Sequence, residues 1–305
     1  MQSDQDTHSA QWLLDDLRDE WWDHDHLRLI AARLGLDSVR SVLDVGCGIG
    51  HWTFLLASVL DPDTQLTGVD WEPRWIRDAT SRAEERGGSD RFRFVEGDAT
   101  ELDFGDASFD LVTCQTLLMH VADPRAAIRE LLRVTKPGGL VLASEPNNLT
   151  ASVMRSSTNL DAPIEDMVES VRFVLTCERG KAALGEGVDS IGNLVPGYLA
   201  QAGAVRIQTF ISDKTHAVYP PYDSDRQQAL CAFLAEGPGR TYWPREKSKR
   251  YFLAGGGTED EFDRAWEREA ADSRRVAAAV QAATFHTTGG FILYLTAGRR
   301  VSGSR

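Results

Sequence analysis

Three glycines at alternate positions, Gly46, Gly48 and Gly50, follow an apolar run (Val42, Leu43, Val45) that carries one acid, Asp44. Glycines where a strand turns into a helix let backbone N–H groups and a helix N-terminus approach a ligand closely. A residue with a side chain would hold the ligand away. A tight turn with no ligand would use the same residues, so the surroundings have to decide. Asp70 ends a second apolar run and is followed by Trp71. Asp98, Ala99 and Thr100 end a third segment, RFRFVEGDAT. A carboxylate at the end of a strand beside such a turn can accept two hydroxyls of a ribose, as in dinucleotide-binding folds. Two further residues can move protons. His120 is an imidazole that can take a proton from a hydroxyl or an amine, or tether its loop by hydrogen bonding. Glu145 can act as a base, pair with an amine or serve as a structural carboxylate, and the structural role is the stronger expectation.

The elements that would position these residues alternate between strand and helix, which points to an α/β sheet. Strands are expected at about 41–45, 65–69, 91–95, 109–114 and 140–144. The helix after the glycines ends at Asp61–Pro62, the next begins at Pro73 and stops at Gly87–Gly88, and another begins at Asp123–Pro124. Lys136–Pro137–Gly138–Gly139 reads as a turn into the fifth strand. Gln115 to His120 then lies at the carboxyl end of a strand, where open α/β sheets bind ligands, and Glu145, Pro146 and Asn147 lie at another. A helix at 196–202, a strand at 205–211 and a last strand at 290–297 complete the sheet. Near the N-terminus, Ser9 can cap a helix carrying Leu13, Leu17 and Trp21. A second helix carries Leu27, Ile30, Ala31 and Leu34 on one face and stops at Gly35.

In this order and spacing, DVGCGIG, Asp70 and GDAT, continued through FDLVTCQTLLMHVADP and LLRVTKPGGLVLASEPN, resemble the class I S-adenosylmethionine-dependent methyltransferases. The resemblance covers about residues 25–211 and returns at 290–297. It implies a doubly wound, seven-stranded Rossmann-like methyltransferase sheet with a largely helical cap, and S-adenosylmethionine as cofactor. By resemblance, Asp44, Gly46, Gly48 and Gly50 form the cofactor loop, and Asp70 with Trp71 holds the ribose end. Asp98 takes the adenine amino group, the backbone N–H of Ala99 takes a ring nitrogen, and the backbone near Gln115 faces the methionine portion. The implied activity is methyl transfer to a small-molecule acceptor, through O- or N-methylation in a biosynthetic setting. Catalysis would fall to His120 and Glu145 if a base is used at all. The alternatives are transfer of an aminocarboxypropyl group from the same cofactor, and a non-catalytic cofactor-binding protein. A nicotinamide dehydrogenase is disfavoured because DVGCGIG lacks the G-x-G-x-x-G spacing and GDAT has no role there.

The chain has 305 residues, 42% of them hydrophobic and 26% charged, an ordinary globular balance. Its net charge of −13 argues against a nucleic-acid partner, since phosphate binding needs clustered Lys and Arg. No apolar run reaches the length that spans a bilayer, and MQSDQDTHSA lacks the basic and apolar regions of a signal peptide. A cytoplasmic protein without membrane contact is expected. Cys47, Cys114, Cys177 and Cys231 form no CxxC pair, so reduced thiols and no metal site are expected. His24 and His26 flank Asp25, a spacing that suits a solvated face as well as a metal.

Four regions are expected: an N-terminal helical cover at 1–36; the cofactor-binding core at 37–212 with a lid insertion at about 148–193; a helical insertion at 213–287; and the last strand and tail at 288–305. The lid would carry one amphipathic helix with Pro163 near its start and Gly180 at its end. In the second insertion, Ser224 with Gln227 and Thr258 with Glu261 read as capping boxes, the latter opening a long helix. TYWPREKSKRYF between them reads as a solvated linker, or alternatively as a contact for an acidic or aromatic substrate. Trp21, Trp22, Asn147 and Phe173 are the acceptor-binding candidates, with Tyr242 and Trp243 in the insertion. The pocket is expected to be walled by these additions, which suit an apolar site with a few polar groups. The competing expectation is that the long amphipathic helix makes a homodimer.

Overall fold

A computed structural model describes residues 21–87, 90–213, 215–235, 243–290 and 292–302. In chain order the regular elements are α1 (His24–Leu34), β1 (Ser41–Val45), α2 (His51–Ala57), β2 (Gln65–Asp70), α3 (Pro73–Glu85), β3 (Phe92–Glu96), β4 (Phe109–Gln115), α4 (Pro124–Val134), β5 (Thr135–Asn147), α5 (Ile164–Ala183), α6 (Val195–Gln201), β6 (Val205–Ile211), β7 (His216–Val218), α7 (Asp225–Ala235), α8 (Arg245–Ala254), α9 (Glu259–Gln281), β8 (Thr287–Gly289) and β9 (Ile292–Arg299). They divide between two compact units. One holds the described residues up to 147, 189–213 and 293–302; the other holds 148–188 and 215–292.

The first unit is built on a seven-stranded sheet of order β3-β2-β1-β4-β5-β9-β6. β3, β2, β1, β4 and β5 run parallel, and β9 is antiparallel to β6. This is the doubly wound α/β sheet that the sequence implied. β1 is apolar on both sides because it lies in the middle of the sheet: Val42 is in register with Leu66 of β2 and Leu111 of β4, and all three are buried. α1 buries Leu27, Ile30, Ala31 and Leu34 and ends at Gly35, whose φ of +69° suits glycine. α4 starts where expected: the Asp123 carboxylate accepts the N–H groups of Arg125 and Ala126, and Pro124 occupies the first turn.

One expectation in this unit needs correction. Lys136–Pro137–Gly138–Gly139 is not a turn, because β5 already begins at Thr135. The register against β4 shifts between Phe109 and Leu111. Gly138 N–H donates to Arg300 O, and Arg300 N–H donates back to Gly139 O. The glycines thus carry an irregular stretch of strand that interrupts the ladder to β4 and bonds to Arg300 instead.

The second unit unites the two segments that sequence separates. α5, from the first insertion, shares one aromatic core with α8 and α9 of the second, made by Phe173, Cys177, Trp243, Tyr251, Phe252, Phe262 and Trp266. Gly180 does not end α5. It lies inside the helix, and a Cβ there would stand 1.7 Å from the carbonyl oxygen of Tyr251 in α8. Nor is the described part of TYWPREKSKRYF a solvated linker: from Arg245 on it belongs to α8, with Tyr251 and Phe252 buried while Arg245 and Arg250 are exposed. α9 opens on the expected Thr258–Glu261 capping box. Ser224 accepts the Gln227 N–H as expected, but Gln227 Oε1 accepts from Tyr219 N–H, so that box is half made. The helix expected around Leu13 and Leu17, and Tyr242, lie outside the described residues.

Candidate functional site

Gly46, Gly48 and Gly50 take φ values of +71°, +52° and +86°, a run of left-handed residues that turns β1 into α2. The turn is stitched to the neighbouring strand: Gly46 N–H donates to Val69 O at 2.7 Å, and Cys47 N–H donates to the same oxygen at 3.1 Å. Gly48 N–H points to Asp70, donating to Oδ2 at 2.9 Å, while Glu72 N–H donates to Oδ1 at 3.0 Å. Burial pushes the Asp70 carboxyl above its usual range, and these amide bonds pull it back. Trp71 beside it is 71% exposed, a large flat ring without cover. Asp44 does something else. It is buried, and its Oδ2 accepts the Thr53 hydroxyl at 2.5 Å, fixing the first turn of α2 against β1. Asp98 is exposed, and Thr100 donates both its N–H and its hydroxyl to Oδ1 at 2.7 Å, which holds the carboxyl below its ordinary value. Ala99, between them, is half-buried.

Of the roles open to Glu145, its surroundings favour the structural one over that of a base. As a base it would need to reach an acceptor, yet the residue is 0% exposed. Its Oε1 accepts Leu117 N–H and Leu118 N–H, both at 2.9 Å, and Oε2 accepts Met119 N–H at 3.3 Å. The Cys114 thiol lies 3.8 Å from Oε1. Burial pushes the carboxyl up to about 7 against the pull of the three amides. The glutamate therefore holds the loop after β4 and is occupied in doing so. His120, at the end of that loop's 3-10 turn (Leu118–His120), is exposed, and its N–H closes on Leu117 O. Loop and strand end meet again where Thr116, at φ +51°, donates its N–H to Ser144 O.

The acceptor candidates separate. Phe173 is 2% exposed in the aromatic core of the second unit, its ring 5.6 Å from that of Phe252, so its face is used for packing. Trp243 is buried in the same core. The ring of Trp22 is also packed, 5.6 Å from Trp52 and 6.0 Å from His26. Trp21 is half-buried, and its carbonyl accepts the Ser212 hydroxyl at 3.1 Å. Asn147 is half-buried at the end of β5. The buried donors with no hydrogen-bond partner among the described residues include Trp22 Nε1, Gln115 Nε2 and Ser144 Oγ. Gln115 and Ser144 are register partners at the carboxyl ends of β4 and β5.

Residues 36–200 match the family model of the methyltransferase domain, more than half of the chain. The chain belongs to the class I S-adenosylmethionine-dependent methyltransferase family. The demethylmenaquinone methyltransferase of Staphylococcus aureus (strain JH9) is 35% identical to this chain over 122 residues, which is 40% of the chain and 49% of that protein. The chain thus spans about half the length of the curated relatives it matches. The YcgJ protein of Bacillus subtilis shares the fold, with a TM-score of 0.51 at 20% identity, over 92% of this chain and all of that one. A Bacillus halodurans C-125 protein does so with a TM-score of 0.52 at 19% identity, over 92% and 99%.

S-adenosylmethionine is the family's cofactor, and the residues of this chain fit it. A carboxylate held by two amides ends β2, an uncovered indole stands next to it, and an ionised acceptor follows β3. Sequence reasoning missed Thr53, Ser144 and the amides of Leu117 to Met119. The signal for the last was available: an acid in an otherwise apolar strand has to find donors near its own level of the sheet.

Proposed function

We propose that this chain transfers the methyl group of S-adenosylmethionine to a small-molecule acceptor. The observation that carries the reading is Asp70, presented at the end of β2 by Gly48 N–H and Glu72 N–H beside the uncovered Trp71. Asp70 accepts the two ribose hydroxyls, the Trp71 ring covers the adenine, and Asp98 accepts the adenine amino group while Ala99 N–H meets a ring nitrogen. The backbone near Gln115 lies along the methionine portion. When bound, the cofactor supplies an activated methyl group on a sulfonium. The chain's own work is to align the acceptor with that carbon, exclude water and accommodate one proton. A strong base is not required; where one is used, His120, exposed at the loop after β4, takes that proton in this reading.

The unpartnered donors Gln115 Nε2 and Ser144 Oγ favour an acceptor, or a cofactor group, that brings an oxygen. A buried donor left without a partner costs about 1–3 kcal/mol, which such an oxygen would relieve. The name of the curated relative, a demethylmenaquinone methyltransferase, supports a small organic acceptor. The test is incubation of the purified chain with cofactor and a panel of candidate phenols, amines and quinols, with products read by mass. A product heavier by one methyl group supports methyl transfer, and a product heavier by an aminocarboxypropyl group replaces it with the other transfer. No product from any acceptor, with cofactor bound, favours a binding protein.

A further inference from the structure

Glu145 is a carboxylate in a place where an apolar residue would pack without penalty, since burying a charge requires hydrogen bonds to offset its lost hydration. Its backbone donors all lie in one segment. Both 2.9 Å bonds fall on the same oxygen, from the N–H groups of Leu117 and Leu118, and Met119 N–H takes the other oxygen. That segment follows Thr116, whose left-handed φ of +51° is unfavourable for a β-branched residue and needs a surrounding that imposes it. Held this way, Leu117 lies against the glycine turn. A Cβ built on Gly46 would stand 2.6 Å from Leu117 Cδ1 and 3.1 Å from its Cβ. The leucine therefore fills the space that the glycine leaves. Gly46 begins the turn in which Gly48 N–H reaches Asp70.

We propose that Glu145 is a positioning residue for the cofactor, acting through Leu117 on the glycine turn. This rests on the reading that the turn binds S-adenosylmethionine. It assigns Glu145 no contact with cofactor or acceptor. The relay has three links: the carboxylate fixes the three amides, the amides fix the leucine, and the leucine limits where Gly46 and its neighbours can move.

The test compares Glu145→Ala, Glu145→Gln, Leu117→Ala and the double variant Glu145→Ala/Leu117→Ala. S-adenosylhomocysteine binding is measured by calorimetry, and amide hydrogen exchange is measured on the ligand-free protein. Glu145→Ala and Leu117→Ala should each weaken binding by about 10-fold, and the double variant should be no worse than either, because linked residues are not additive. Glu145→Gln keeps a side-chain oxygen for both 2.9 Å bonds and should recover binding to within about 3-fold of the unaltered protein. Exchange over 46–50 should quicken in Glu145→Ala and Leu117→Ala and stay slow in Glu145→Gln. Unchanged exchange over 46–50 in Leu117→Ala, or losses of affinity that add in the double variant, would overturn the proposal. Should Glu145→Ala fail to fold, Leu117→Ala and Glu145→Gln decide it on the same readouts. If the unaltered protein binds no S-adenosylhomocysteine, the cofactor reading fails, and the exchange measurement still decides whether Glu145 governs the glycine turn.

Discussion

Asp70 and Glu145 are both carboxylates pushed upward by burial, but their amide donors put them to different uses. Asp70, at the end of β2, accepts Gly48 N–H on one oxygen and Glu72 N–H on the other. Glu145 is enclosed. Its ordinary value of 4.5 rises to about 7 in the folded protein, so between those values the native state binds more protons than the unfolded one. Stability contributed at this site therefore falls as pH rises from about 4.5 to about 7, by up to about 3 kcal/mol, and is level on either side. Glu145→Gln does not titrate. The difference in urea midpoint between it and the unaltered protein should change across that window, and a constant difference from pH 4.5 to 8 would refute the enclosed-carboxylate account. At Gly48 the φ of +52° disfavours a β-branched residue, and its N–H is donated to Asp70. Gly48→Val should abolish S-adenosylhomocysteine binding in calorimetry while leaving a folded protein. Normal binding would mean that this glycine serves the turn alone. The residues with these roles were legible in the sequence wherever backbone conformation forces glycine or a strand ends in an acid. Glu145 was legible as an acid but not as an enclosed one, because its donors sit on a loop 26 to 28 residues away.

At the scale of elements, the contact between α5 and α8 is made by two glycines. A Cβ at Gly180 would meet Tyr251 O at 1.7 Å, and one at Gly255 would meet Thr176 O at 2.0 Å. Both clashes are with backbone, so neither is relieved by a rotamer change. Gly180→Ala should destabilise the second unit by about 1–3 kcal/mol despite the better helix propensity of alanine. Thermal unfolding of the variant at or above the transition of the unaltered protein would show that the helices can part without cost. This packing also explains why sequence misplaced the end of α5. A glycine after an amphipathic run is a common helix stop, and only the partner helix distinguishes a stop from a close approach. α8 was hidden for a related reason. Its aromatics, Tyr251 and Phe252, are adjacent, and its run of charge reads as a linker until the core that receives the rings is known.

The whole chain divides into a sheet unit whose strands and glycine turn were readable from local pattern, and a helical unit whose core is assembled from two distant stretches. Parallel strands announce themselves because burial on both faces demands continuous apolar runs. The helical unit does not, since α5 finds its partners about 70 to 90 residues later and nothing in its own periodicity names them. The same division sets an expectation for ligand effects. At a free concentration 100 times its Kd, S-adenosylhomocysteine should stabilise the unit that binds it by about 2.7 kcal/mol. Hydrogen exchange should slow over 44–50, 70–72 and 98–100. Slowing confined to the helical unit would place the cofactor elsewhere.

The most direct measurement is calorimetric titration of S-adenosylhomocysteine into the unaltered chain and into Asp70→Ala. The account predicts binding by the unaltered chain and a loss of about 2–3 kcal/mol in the variant, the worth of charge-assisted bonds to two ribose hydroxyls. A folded chain that binds no S-adenosylhomocysteine would contradict the cofactor assignment, and equal affinity in Asp70→Ala would contradict the ribose contact.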